Sequence, residues 1–247
     1  MNNPSLKFKS DYRVDVEIFK GFFNSHKADP SRNYLESCFF KHYPKLIEIF
    51  KNSKTDFPEK EVLSFVRNKH QKDKMKIEER LNGIRVEWED VENDFYNLID
   101  LIFKKHSWPK GDYIGFASIW GIFLRNLESK KFSFPYGHPV DNFALSVVMH
   151  EMIHFIFFDY VFENYPNTFG EMNPNRGILW SLSEIFNAII LSTPEFIELH
   201  GLKKINSGTL HIEHRNNLSY LKKIWNDYKE IDAWLVEAGK HLKDQQV

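Results

Sequence analysis

The chain of 247 residues is 42% hydrophobic and 27% charged, so it can bury a sizeable core without metals or disulfides to stabilise it. Its 33 Lys and Arg nearly balance its 34 Asp and Glu, so the chain lacks the strong basic excess typical of nucleic-acid binders. We therefore expect no nucleic-acid partner. The single Cys38 excludes an internal disulfide and a cysteine metal cluster, and this favours a reducing, cytoplasmic location.

No membrane partner is expected either. The first residues contain no apolar stretch that could serve as the core of a signal peptide. The longest apolar run, near Phe155 to Phe162, is interrupted by Asp159. We therefore expect no membrane-spanning segment.

The N-terminal part of the chain predicts helices. Apolar residues crowd the segment Val14 to Phe23, and they recur at near-helical intervals from Asn33 to Phe50, where Pro44 is expected to break or kink the helix. A charged segment from Phe57 to Arg80 follows, and its pattern is typical of an exposed helix.

The next elements are a predicted helix stop and a short predicted strand. Asn82 and Gly83 are expected to end the charged helix. The five residues from Ile84 to Trp88 alternate apolar and polar, which predicts a strand. From Glu92 to His106 an apolar stripe at helical spacing returns.

Two strands are predicted after a turn that begins at Pro109. The segment Tyr113 to Leu124 is rich in aromatic and β-branched residues, and the segment Lys131 to Tyr136 alternates aromatic with small residues. Pro135 cannot donate a ladder hydrogen bond, so we expect the second strand at a sheet edge. An extended peptide could pair there, antiparallel to the strand.

The remaining elements are predicted to be helices. The segment Phe143 to Phe162 is apolar nearly all round, which predicts a buried helix. After a polar loop from Glu163 to Arg176, a second apolar helix begins near Ile178, and two or three helices follow from Thr193 onward. The predicted fold is α+β and mostly helical with a small sheet, divided into a helical region 1–108 and a compact region 109–247.

The sequence HEMIH, residues 150–154, lies inside the first apolar helix. Residues at i and i+4 are about 40° apart around a helix, so His150 and His154 project from one side and can share a metal. Glu151 is close enough around the helix for its carboxylate to reach a water on that metal. Burying these three side chains separately would be costly, by about 1–3 kcal/mol for each neutral group, whereas a metal satisfies them together.

Around HEMIH the sequence resembles the zincin metallopeptidases. The stretch VVMHEMIHFI fits the extended motif of that superfamily, and the likeness runs from Phe132 to Ala188. It implies that His150 and His154 bind Zn²⁺, that Glu151 is the general base, and that residues 109–247 form a zincin-like catalytic core. In this fold the sheet lies beside the active-site helix.

A catalytic zinc site needs a third protein ligand and one open position. The metzincin pattern is excluded because Phe157 and Tyr160 stand where that subclass has glycine and a third histidine. The resemblance to gluzincins, typified by thermolysin, implies Glu184 from the following helix as the ligand. Glu171, in the intervening loop, is the alternative.

Two nearer acids are disfavoured as ligands, and the match to gluzincins is imperfect. Asp159 and Glu163 point roughly 180° and 140° away from His150 around the helix. Ala188 stands where thermolysin-like sequences have an acid that orients a ligand histidine, so that partner must be Asn187 or a backbone carbonyl. Peptide deformylases also use HExxH, but their glycine-rich motifs are missing from this sequence, so membership of that family is not expected.

The predicted activity is zinc-dependent hydrolysis of a peptide or protein, in which Zn²⁺ activates a water and Glu151 takes its proton. Candidates for stabilising the transition state are His211, His214 and Tyr165. The alternative is a noncatalytic interaction or regulatory protein that retains a zincin fold. Glu151 argues against that alternative, because a structural metal site needs no base.

Overall fold

The computed structural model describes residues 3–26, 35, 39–53, 55–166, 168–169, 172–202 and 212–245, except for the side chains of 25, 26 and 212–214. Within these residues the chain has the predicted α+β fold, mostly helical with one small mixed sheet. Cys38 and the alternative ligand Glu171 lie outside the described residues.

In chain order, the helices and strands are β1 (Leu6–Lys9), α1 (Tyr12–His26), α2 (Pro44–Asn52), α3 (Glu59–Lys72), α4 (Lys74–Ile102), β2 (Tyr113–Ser118), β3 (Arg125–Asn126), β4 (Lys131–Pro135), α5 (Phe143–Asn164), α6 (Gly177–Ile190), α7 (Pro194–His200), α8 (Ile212–Tyr228) and α9 (Ile231–Asp244). Pro44 begins α2 after a turn at Lys41 and His42, so the helical pattern is interrupted before this proline, in agreement with the prediction. A proline suits the first turn of a helix, where its missing N–H is not needed.

The chain forms two compact units whose segments alternate along the sequence. The sheet unit comprises Ser5–Glu87 and Asp112–Val147, and the helical unit comprises Met1–Pro4, Trp88–Gly111 and Val148–Val247. These limits differ from a division after residue 108, because β1 near the N-terminus pairs with β2 and so belongs with the later strands.

The sheet has the strand order β1, β2, β4, β3. The pairs β1–β2 and β2–β4 are parallel, whereas β3 pairs antiparallel with β4. The carboxyl ends of β1, β2 and β4 therefore lie along one edge of the sheet.

The prediction that the strand Lys131–Pro135 lies at a sheet edge is wrong, because β4 lies between β2 and β3. Pro135 is tolerated there because β3 is only two residues long and pairs with Lys131 and Phe132 alone. Neighbouring N–H groups alternate in direction along a strand. Ser133 donates to Leu124 O and Tyr136 to Ser118 O, so the N–H that Pro135 lacks would point away from β2, beyond the end of β3.

The core of the sheet unit is aromatic. Phe19 of α1, fully buried, stacks on Trp120 with ring centroids 5.5 Å apart and contacts Phe39 edge-on at 4.7 Å. The crowded apolar positions of the predicted first helix therefore form the inner face of α1.

The predicted helix stop at Asn82 and Gly83 and the predicted strand Ile84–Trp88 are both wrong, because α4 runs without interruption through them. A strand would place Ile84, Val86 and Trp88 on one face. Instead Ile84 and Trp88 are buried and Val86 is 58% exposed, which is the i, i+4 pattern of a helix. Burial of this stripe outweighs the cost of about 1 kcal/mol for a glycine within a helix.

The helical unit packs around α5 and α6. Phe186 of α6 contacts Trp225 and Trp234 with centroids 5.5 and 5.1 Å away, and the Trp234 indole donates to Leu221 O at 3.0 Å. Helix α5 has the length and composition of a membrane span, but 83% of its most apolar 18-residue window is buried within the protein, as in a core helix. The last part of the described chain forms three helices, in agreement with the prediction.

Candidate metal centre

Helix α5 presents two imidazoles one turn apart. His150 and His154 have their rings edge to face, with centroids 4.6 Å apart and their Nε2 atoms 2.9 Å apart. The His154 side chain is fully buried, and that of His150 is 27% exposed. One imidazole is thus enclosed by the core while the other reaches solvent.

Helix α6 brings a carboxylate to the same point. Glu184 Oε2 is 3.4 Å from His150 Nε2, and Glu184 Oε1 is 3.4 Å from His154 Nε2. The Glu184 side chain is 16% exposed. The three side chains that the sequence predicted as metal ligands therefore converge, with one ligand atom from each within 4.8 Å of the others.

The spacing of these atoms suits a tetrahedral zinc ion. Bonds of about 2.0–2.1 Å meeting at the tetrahedral angle hold neighbouring ligand atoms about 3.3 Å apart. The three distances in this centre are 2.9, 3.4 and 3.4 Å. Two imidazole nitrogens and one carboxylate also form a donor set that zinc takes in proteins.

The electrostatics of the cluster favour a charged carboxylate. Burial by itself raises the pKa of the Glu184 carboxyl, but His154 and His150 together outweigh burial and hold the pKa well below its usual range. Glu184 is therefore an anion placed against two imidazoles, which is the charge state of a metal ligand.

Side chains of α6 contact two of the three candidate ligand residues. The Trp180 indole donates to Glu184 Oε1 at 3.1 Å from one turn earlier in the helix. Asn187, fully buried, donates from Nδ2 to the backbone oxygen of His150 at 3.1 Å. Because Ala188 stands where an acid would orient a ligand histidine, the sequence predicts Asn187 or a backbone carbonyl in that role. The observed contact of the Asn187 amide is with the backbone oxygen of His150, whereas the prediction concerns a histidine side chain.

Glu151 directly follows His150, the first candidate ligand, and lies in the same turn of α5. It is 3% exposed, so its carboxylate is enclosed within the protein. Its position is about 100° around the helix from His150 and about 60° from His154, near the side that carries both imidazoles.

The two acids that the sequence disfavoured as ligands belong to a different cluster. Asp159 Oδ2 lies 2.9 Å and Glu163 Oε2 3.7 Å from His106 Nε2, which follows the end of α4. Sequence reasoning missed this group, because His106 is separated from Asp159 by 53 residues and no short motif connects them.

Of the predicted transition-state stabilisers, only Tyr165 has a described side chain. Its hydroxyl donates to Asp232 Oδ1 at 2.7 Å, and Tyr160 donates to the same oxygen at 2.5 Å. Lys104 also pairs with Asp232. Tyr165 thus takes part in an ionic cluster with α9. His211 and the side chain of His214 lie outside the described residues.

The sequence predicts Trp180 as a neighbour of Glu184, because side chains at i and i+4 meet on a helix. It does not predict that the indole N–H donates to the Glu184 carboxylate.

Comparison with known proteins adds nothing to this geometry, since no family model, curated protein or solved structure matches the chain.

Proposed function

We propose that this protein is a zinc-dependent peptide hydrolase whose metal is held by His150, His154 and Glu184. The observation that carries the proposal is the set of three ligand-atom distances, 2.9, 3.4 and 3.4 Å, close to the edges of a zinc coordination tetrahedron. The ligands come from two helices of one unit, so the fold itself brings them together.

The number of ligands supports catalysis over a structural role. Structural zinc sites use four protein ligands, whereas catalytic sites use three and keep one position for water or substrate. Among the described residues the group contains three candidate ligands. The partly exposed His150 gives the centre a side that solvent can reach.

A bound zinc would lower the pKa of a coordinated water and polarise the carbonyl of the substrate. Glu151 is the general base and general acid. Its carboxylate accepts a proton from the attacking water and delivers that proton to the departing amine of the cleaved peptide bond.

The substrate class and location are also part of the proposal. A peptide or protein substrate is what the zincin-like motif implies, and the near-zero net charge gives no support to a nucleic-acid partner. The single cysteine favours the cytoplasm.

The test combines metal analysis with a peptidase assay on purified full-length protein. We expect about one zinc per chain and cleavage of a mixed library of quenched fluorescent peptides. Glu151→Gln should keep the zinc and lower cleavage by at least about 100-fold. Glu198→Gln, on an exposed position of α7, is the matched control and should change neither quantity. Full activity of Glu151→Gln would overturn the proposed mechanism, and wild-type protein without zinc would overturn the site.

A further inference from the structure

A second cluster of reactive side chains lies in the sheet unit, at the carboxyl ends of β1 and β2. Its centre is Asp15 of α1, which is 1% exposed. Asp15 accepts hydrogen bonds from Ser118 Oγ at 2.6 Å and from the Ile119 N–H at 3.1 Å, at the end of β2. The carboxyl edge of a parallel sheet is the usual place for ligands in such folds.

Asp15 also orients a histidine. His70 Nε2 of α3 lies 2.6 Å from Asp15 Oδ2, and the His70 side chain is 10% exposed. Because Asp15 acts as the acceptor for the surrounding hydroxyl and amide donors, the hydrogen shared with His70 is assigned to Nε2. The other ring nitrogen, Nδ1, then carries a lone pair and is able to accept a proton.

A serine hydroxyl faces that nitrogen. Ser10 Oγ is 3.4 Å from His70 Nδ1. Ser10 is exposed and lies in the turn between β1 and α1, so reagents in solution can reach it. The distance is at the long end for a hydrogen bond, as catalytic hydrogen bonds often are without substrate.

The geometry points to Ser10, His70 and Asp15 as a nucleophile, base and orienting acid, forming a second catalytic site that hydrolyses small acyl esters. The arrangement fits the general pattern for an activated serine, in which the base contacts the nucleophile and a third group fixes the base. The side chains come from the segment after β1, from α3 and from α1, so no short sequence motif predicts the site.

The helix that follows Ser10 does not supply an oxyanion site. Helix α1 begins at Tyr12, and the Asp11 carboxylate before it already accepts from the Arg13 N–H at 2.9 Å. The proposal therefore depends on the Ser10, His70 and Asp15 contacts alone. An ester suits such a site better than an amide, because an alcohol leaves more readily than an amine.

The reaction needs only the ester and water. Ser10 Oγ bonds to the acyl carbon while its proton passes to His70 Nδ1, and the bond from that carbon to the alcohol oxygen breaks. The departing alcohol takes the proton from His70. Water then cleaves the acyl-serine, giving the carboxylic acid and restoring the Ser10 hydroxyl.

The test is covalent labelling of the full-length protein with a fluorophosphonate in the presence of a zinc chelator. The reagent phosphonylates an activated serine and expels fluoride, so mass spectrometry can locate the label. We expect it on Ser10, and His70→Gln should slow the labelling about 100-fold while its amide still donates to Asp15. Ser10→Ala should abolish the label.

The controls separate activation from simple exposure. Ser64, exposed on α3 in the same unit, should remain unlabelled in the same wild-type sample, which needs no variant to fold. Hydrolysis of p-nitrophenyl butyrate under the chelator should be lost in Ser10→Ala and kept in Ser64→Ala. Equal labelling of Ser10 and Ser64, absence of label on Ser10, or an unchanged Ser10 rate in folded His70→Gln would each overturn the proposal.

Discussion

The Trp180 indole donates its N–H to Glu184 Oε1 at 3.1 Å, one turn along α6. The same oxygen lies 3.4 Å from His154 Nε2. A hydrogen bond of this kind holds the carboxylate of a metal ligand in one rotamer in the metal-free protein. Trp180 is therefore a positioning residue for the proposed metal centre.

Trp180→Phe should weaken zinc binding by about 10-fold, because partners of metal ligands typically contribute 10- to 100-fold to affinity. The substitution keeps an aromatic ring in the partly buried site, so the thermal midpoint of the metal-free protein should change little. Competition with a chromogenic chelator measures the affinity. An unchanged zinc affinity would show that the indole does not position Glu184.

Loss of any of the three proposed ligands should have a larger effect. His150→Ala and His154→Ala should each abolish stoichiometric zinc, and Glu184→Ala should weaken binding strongly. Glu171→Ala, which lies between α5 and α6 in the sequence, should leave it nearly unchanged. Metal content after gel filtration is the measurement. Full zinc content in both histidine variants would contradict the site, and a loss confined to Glu171→Ala would identify Glu171 as the third ligand.

Asp232 should make the stability of the helical unit depend on pH. Burial raises the pKa of its carboxyl, but hydrogen bonds from Lys104, Tyr160 and Tyr165 together lower it below its usual value. A depressed folded-state pKa gives stability that is present above the unfolded pKa of about 3.9 and is lost as pH falls through the folded pKa.

We expect Asp232→Asn to lower the free energy of unfolding by about 1–3 kcal/mol at pH 7, since it weakens hydrogen bonds to a charged acceptor. The difference from wild type should shrink as the pH falls below about 4. Urea unfolding at pH 7 and pH 3 measures both quantities. Asp227→Asn, at an exposed position of α8, should show no such change. A difference that grows in acid would contradict the interpretation.

Two helical glycines should respond oppositely to alanine. A Cβ at Gly239 of α9 would lie 2.5 Å from the Phe169 ring, whereas a Cβ at Gly21 of α1 would have no neighbour within 4 Å. Gly239→Ala should therefore destabilise the protein by about 1–3 kcal/mol through overpacking. Gly21→Ala should stabilise it by about 0.5–1 kcal/mol through helix propensity.

The Gly239 prediction has an internal check. In a Phe169→Ala background the clash is removed, so the cost of Gly239→Ala should fall to near zero or below. Thermal or urea unfolding of the four proteins in the cycle gives the coupling free energy. A cost of the same size in both backgrounds would show that the ring is not the obstacle.

The sequence was most informative where a pattern is local. HEMIH in an apolar stretch predicted both the helix α5 and the convergence of its two imidazoles, and Glu184 was predictable from its place in the next apolar helix. Glycine at 83 predicted a helix end that the buried stripe of α4 overrides, because packing outweighs intrinsic propensity.

Relationships between distant segments could not be derived from the sequence. The order of strands in the sheet depends on which segments pair. Pro135 predicts an edge position for β4, whereas no pattern in the sequence predicts the two-residue β3 that covers part of that edge. The Ser10, His70 and Asp15 cluster joins residues 55 and 60 positions apart, with no repeating spacing to reveal it.

The hydrogen bond from the Ile119 N–H to Asp15 Oδ2 has a consequence for how the sheet unit opens. That amide can exchange its hydrogen with solvent only when water reaches a carboxylate that α1, α3 and the end of β2 enclose together. Separating these elements requires breaking contacts between segments about 100 residues apart, so no local fluctuation is sufficient. The exchange rate of this one amide should therefore report the global unfolding of the sheet unit.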